Sequence, residues 1–302
     1  MKTKRFFVIP VVLAVAFSTL VALLLFSQSA KAYAQATTPP SLELGDFLFD
    51  HPDGVVPINE AIQATLAFTD PGALGAGFEF SWDWGDGTVN TVTASCSEFS
   101  SECPIDNDGV GEISDTHTYE DPGVYALQLT VSDTDGRSES ADQYIIAYDP
   151  SAGFVTGGGW IMSPVGACQF EACSGETTGK ATFGFVSKYE KGAATPTGQT
   201  QFQFKTGNLN FHSDSYEWLV VAGPNAKYKG VGTINGGGNY GFMLTAKDSE
   251  INGGGDVDTF RIKIWDKDNG DAVAYDNKMD TPDDSYDGTE LGGGNIKIHK
   301  GK

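Results

Sequence analysis

Apolar side chains in this chain recur at every second position, over and over, and almost never at every third or fourth. Phe78, Phe80, Trp82 and Trp84 do so, then Tyr125, Leu127, Leu129 and Val131, and later Thr200, Phe202 and Phe204. Tyr216, Trp218 and Val220, then Tyr240, Phe242 and Leu244, then Phe260, Ile262 and Ile264 repeat the pattern. Period two places alternate side chains on opposite faces of an extended strand, so that one face can be buried. Ile58 to Phe68 is the one stretch open to a helical reading, but Ala64, Leu66 and Phe68 keep period two and Asp70-Pro71-Gly72 ends it as a turn. The expected fold class is therefore all-β. Glycine-rich elements, Val155 to Ile161, Ile234 to Asn239, Ile251 to Asp256 and Leu291 to Asn295, interrupt the later strands. A phosphate cradle needs such a loop to open a helix, and no helical pattern follows any of them. They read as bulges and tight turns.

Ahead of the alternating region stand Lys2, Lys4 and Arg5, an uncharged apolar run from Phe6 to Phe26, and small residues to Ala36. That order is an export signal over residues 1–36, with Ala-x-Ala cleavage registers ending at Ala32, Ala34 or Ala36. The apolar run is long enough to span a bilayer, so an uncleaved amino-terminal anchor is the alternative and the only membrane association expected. The expected location is extracellular or on the cell surface. Residues 37–41 read as a linker, 42–149 as a first domain and 153–300 as a second, with the break at Tyr148 to Gly153.

Net charge is −21, and the first 35 residues hold four basic and no acidic side chains, so the remainder is more acidic still. Such a field repels nucleic acid and anionic surfaces, and nucleic acid is excluded as a partner. Four cysteines fall as two local pairs, Cys96 with Cys103 and Cys168 with Cys173. An even count in an exported chain reads as disulfides, and the local connectivity closes two small loops.

Trp82-Asp83-Trp84-Gly85-Asp86-Gly87-Thr88, followed by His117-Thr118-Tyr119-Glu120-Asp121-Pro122-Gly123-Val124-Tyr125, resembles the signature of PKD (polycystic kidney disease) domains. The resemblance covers about residues 42–148. It implies an immunoglobulin-like sandwich of two sheets, serving as a spacer, adhesive unit or binding accessory and not as a catalyst. His117 and Tyr119 are then packing and hydrogen-bonding residues. The segment from Val89 to Asp115 is long for that family; it carries the Cys96/Cys103 pair and Asp106-Asn107-Asp108-Gly109, and is either a binding loop or a tolerated insertion. Residues 153–300 resemble a carboxy-terminal module that follows PKD domains in prokaryotic surface proteins. The likeness rests on segments such as V-T-G-G-G-W-I (155–161), G-K-A-T-F-G-F-V-S-K-Y (179–189) and F-R-I-K-I-W-D (260–266). Their alternation predicts a second β-sandwich or jelly roll.

No G-x-S-x-G or H-E-x-x-H occurs, and His51, His117, His212 and His299 are scattered singly. His212 beside Ser213 and Asp214 fails as a triad, because neighbours along a strand point to opposite faces. No enzymatic activity is expected, with a glycan hydrolase kept as an alternative because its carboxylate pair is spatial and not local. Asp266, Asp268 and Asp271 flank a glycine turn where hard oxygen ligands converge, which makes calcium the one cofactor worth expecting. Asp280, Asp283, Asp284 and Asp287 form a second acidic cluster and Asp106 with Asp108 a third; solvated hairpin tips are the competing reading of all three. Trp160, Trp218 and Trp265 are candidates for sugar-stacking platforms or for core packing. The expected partner is a cell-envelope or extracellular protein or glycan.

Overall fold

The computed structural model describes residues 42–70, 77–95, 104–106, 109–134, 136–171 and 173–301. The export segment, Cys96 and Cys103, and Asp108 lie outside the described residues. Within them the chain is all-β, as the alternation requires.

The amino-terminal region contains β1 (Glu43–Phe49), β2 (Val55–Pro57), β3 (Ala61–Thr69), β4 (Gly77–Asp83), β5 (Val89–Ser95), β6 (Val110–Thr118), β7 (Gly123–Asp133) and β8 (Ser138–Tyr148). One sheet runs β1-β3-β6 and the other β2-β8-β7-β4-β5. All pairs are antiparallel except β2 with β8. Alternation decides which side chains meet between the sheets: Ile62, Ala64, Leu66 and Phe68 from β3 face Phe80 and Trp82 from β4 and Leu127 and Leu129 from β7, all buried. The Phe68 ring sets its edge against Phe78 and Phe80, each with centroids 5.5 Å away, the geometry that aromatic quadrupoles favour.

The carboxy-terminal region contains β9 (Gly153–Ser163), β10 (Gly179–Lys188), β11 (Thr197–Phe204), β12 (Leu209–Ala222), β13 (Asn225–Ile234), β14 (Gly237–Lys247), β15 (Thr259–Asp266), β16 (Ala272–Asp276), β17 (Thr289–Glu290) and β18 (Gly293–Lys300). They form one ten-stranded antiparallel sheet in the order β16-β15-β14-β13-β12-β11-β10-β9-β18, with β17 beside β15. A sheet this large must curl or split. It curls until β16 comes back against the segment after β9: Gln169 donates to the Ala274 carbonyl and Asp276 to the Ala167 carbonyl. Opposite walls therefore touch through the interior, with Phe183 of β10 stacked on Phe260 of β15 at 3.9 Å. This large sheet region is consistent with the second β-sandwich or jelly roll expected.

Two features depart from the simple alternation. The glycines of 157–159 are not in a turn but in the middle of β9, paired to β10 on one side and β18 on the other. A Cβ at Gly157 would fall 2.4 Å from the Phe185 ring, and one at Gly292 would fall 2.2 Å from Trp160. The Phe185 ring of β10 lies over Gly157, and Trp160 of β9 itself lies over Gly292 beside β18, so neither glycine has room for a side chain. The second departure is a pair of register shifts in β12, between Ser213 and Ser215 and between Tyr216 and Trp218. Tyr216, between them, points into the curled core with Leu209, Phe211, Leu219 and Val221, while Trp218 and Val220 point out of it.

The outer edge of β18 is closed by side chains. The N–H of Ile296 donates to Asp258 Oδ2 at 2.7 Å and that of Ile298 to Asp248 Oδ2 at 2.9 Å. Asp258 is itself held by Ser249, whose N–H and hydroxyl both donate to Oδ1. The loop between β14 and β15 thus stands in for a missing strand.

Candidate functional site

Asp266, Asp268 and Asp271 lie at the tip of the β15–β16 hairpin. The Asp266 Oδ1 accepts the backbone N–H of Asp268 at 3.0 Å, and the Asp266 carbonyl accepts that of Asp271 at 3.0 Å. Asp268 Oδ1 accepts from the Asn239 side-chain amide at 3.2 Å. Among the described residues no group of three or more His, Cys, Asp or Glu side chains comes together to hold a metal ion. Cys168 and Cys173 are joined as a disulfide in the β9–β10 connection, a bond consistent with an extracytoplasmic location. No helix among the described residues is long and apolar enough to cross a membrane. His212 stands at the surface beside Gln201, without a nucleophile.

The second acidic cluster does something else. Arg261 projects from the outer face of β15, almost fully buried, and grips Asp276 through two hydrogen bonds of 3.0 and 2.9 Å. The segment 277–288 returns across this face as a strap. Its carbonyls at Thr281 and Pro282 accept from Arg261, and those at Asp283 and Ser285 accept from the Lys227 ammonium. Asp283 also pairs with Arg261 at 3.3 Å and with Lys263 at 2.7 Å. Lys227 sits 4.7 Å above the Tyr286 ring. Asp283 is thus a counterion for cations of the sheet, not a free ligand for calcium. Burial, followed by the neighbouring Arg261 charge, pulls the Lys227 ammonium down to about 7.

Beside the strap, the same outer face packs on the amino-terminal sandwich. Trp218, Val220 and Met243 form one buried cluster with Val124, Ile146 and Tyr148. Tyr148 stacks on Tyr189 at 5.5 Å. The chain crosses between the regions through a tight turn in which Asp149 accepts the N–H and hydroxyl of Ser151.

A groove of about 610 Å³ opens along this junction. Trp218, Met243 and Trp265 form its floor, Val55, Tyr144 and Ile146 its opposite wall, and Gln143, Glu217, Lys229 and Lys267 part of its rim. Glu217 and Lys229 pair at 3.0 Å. Of the three tryptophans singled out in the sequence, Trp218 is only 4% exposed. Trp265 is half-buried and lies flat against Gly241, where a Cβ would come within 2.3 Å of the indole. Trp160 is half-buried elsewhere, under the Lys180 ammonium at 4.5 Å. Alternation does not reveal the junction, because the bulge between Tyr216 and Trp218 turns these two side chains to opposite faces.

At the far end of the sandwich, the repeated motif residues assemble around Trp84. Its ring stacks on His117 at 5.0 Å, its carbonyl accepts from the Tyr119 hydroxyl at 2.8 Å, and His117 Nε2 meets Asp86 Oδ2 at 2.7 Å. Partial burial opposes ionisation of Asp86, but hydrogen bonds from Thr88 and His117 prevail and hold its carboxyl below the usual range. Burial pushes the Tyr119 phenol far up. These groups lock the ends of β4 and β6 together, the packing role expected of them. An immunoglobulin-like sandwich closed in this way defines the class. The family model of the PKD domain matches residues 53–143, and the chain carries an amino-terminal PKD domain there. No curated protein matches the chain.

Proposed function

We propose that this protein is an exported, non-catalytic surface or secreted protein whose PKD domain and carboxy-terminal β domain, 42–149 and 153–300, act together as a rigid spacer and binding module. The observation that carries the reading is the junction: an aromatic and aliphatic cluster and a short hydrogen-bonded turn join the two regions. A spacer that must hold a binding surface at a fixed distance and orientation needs such a joint, because flexible linkers leave domains free to move. The PKD domain, the Cys168–Cys173 bond and the basic-then-apolar leader support export and a role outside the cytoplasm. The partner is a cell-envelope or extracellular protein or glycan.

Two measurements test this. Small-angle scattering of residues 37–302 is expected to give a single compact distance distribution; a broad one from two independently moving bodies would overturn the spacer reading. Incubation with envelope material is expected to retain the protein and release neither sugars nor peptides. Release of either would make it a hydrolase.

A further inference from the structure

The groove at the junction is built mainly from the faces of sheets, with Val55 of the edge strand β2 on one wall. Strands β12, β13, β14 and β15 each have hydrogen-bonded neighbours on both sides, and β8 lies between β2 and β7. Along these strands an extended peptide would find no free backbone N–H or carbonyl to pair with. What the groove offers is side chains: one half-exposed indole face and a rim of polar groups.

Several charges of that rim are answered internally. Glu217 is paired with Lys229, and Asp283 with Lys263 and Arg261. A ligand carrying many charges would have to break these pairs, and an anionic polymer would also meet the strongly negative field of the whole chain. A neutral ligand with alternating apolar and hydroxyl faces disturbs neither. Its C–H face can lie on Trp265, while its hydroxyls bond Gln143, Glu217 and Lys229.

The size and rigidity agree. The volume of about 610 Å³ falls in the range of small-ligand pockets and accommodates a few sugar rings. Trp265 is held flat by contact with Gly241, and its neighbours Trp218 and Met243 are buried, so the platform is preformed and little ordering is lost on binding.

Resting on the binding reading above, we propose that this groove is a site for a neutral oligosaccharide stacked on Trp265. The test is a tryptophan-fluorescence titration of the full chain in its exported form with neutral hexasaccharides of glucose, mannose and N-acetylglucosamine. At least one is expected to bind saturably, with an affinity that falls about tenfold in Trp265→Ala, the loss of roughly 1.4 kcal/mol of stacking. Gln143→Ala, a surface change on β8 that leaves the fold intact, is expected to weaken binding by about threefold. Trp160→Ala, whose ring lies outside the groove, serves as the control with unchanged affinity. Failure of all three sugars to bind, or full affinity in Trp265→Ala and Gln143→Ala alike, overturns the proposal. Retention on envelope material, measured alongside, separates the two readings: retention without sugar binding removes the groove alone, whereas loss of retention removes the wider binding function.

Discussion

Two acidic segments follow one another in the chain, Asp266 to Asp271 and Asp276 to Asp287, and they come to different ends. The first is a hairpin tip over open solvent, and its carboxylates cap backbone N–H groups and an asparagine amide. The second crosses a sheet face that carries Arg261, Lys263 and Lys227, and it becomes their counterion and their lid. Both are rich in aspartate; the ground beneath differs. A carboxylate beside a buried guanidinium has no choice of partner, because either charge left alone in the interior would be far more costly.

The contrast breaks most visibly at Arg261. Arg261→Ala strands Asp276 and frees the strap, and is expected to cost about 3–5 kcal/mol, read from chemical denaturation. A loss below about 1 kcal/mol would mean that the strap is held by something else. Lys227 comes next, and its signature is a slope. Its unfolded pKa is the ordinary 10.5 and its folded one about 7, so the unfolded chain binds this proton first as pH falls between them. Stability contributed by this group therefore rises with pH from about 7 to 10.5, against Arg261, Asp283, Asp284 and Tyr286 as its charged and titratable surroundings. Lys227→Met is expected to flatten the rise in melting temperature between pH 7 and 9.5 and to stabilise the protein near pH 7. Asp283→Asn should cost about 1–2 kcal/mol, less than Arg261→Ala because the carboxylate is partly solvated. The smallest effect belongs to the hairpin tip, where Asp268→Ala is expected to change stability by about 0.5 kcal/mol or less. Millimolar calcium and chelator are expected to leave the melting temperature within about one degree. A larger rise with calcium, absent in Asp268→Ala, would place an ion in this turn and erase the contrast.

The same distinction explains what could be read from the residues alone. Phe260, Ile262 and Ile264 announce a strand with a buried face, and the structure agrees. Arg261, Lys263 and Trp265 on the other face look like a solvent side, since period two says which residues share a face but not whether that face is covered a second time. Strand-turn motifs such as Trp82 to Thr88 were legible because they are local. The junction was not, because the bulge at Tyr216–Trp218 turns onto opposite faces two side chains that alternation puts on one. The glycines of β9 mislead for a related reason: their meaning lies in Phe185 of β10 and the backbone of β18 beside them, and only pairing reveals it. Trp265 was visible as a candidate, and what singles it out from Trp160 and Trp218 is its place in a groove formed by two regions distant in sequence.

The two aspartates that close β18 carry a consequence for life in a crowd. A protein displayed at high density meets copies of itself far more often than it meets any target, and a strand with free N–H groups invites them to zip together into fibres. Asp248 and Asp258 occupy the donors a neighbouring copy would need and put negative charge where its own backbone carbonyls would approach. Pairing of two copies through this strand is thereby disfavoured.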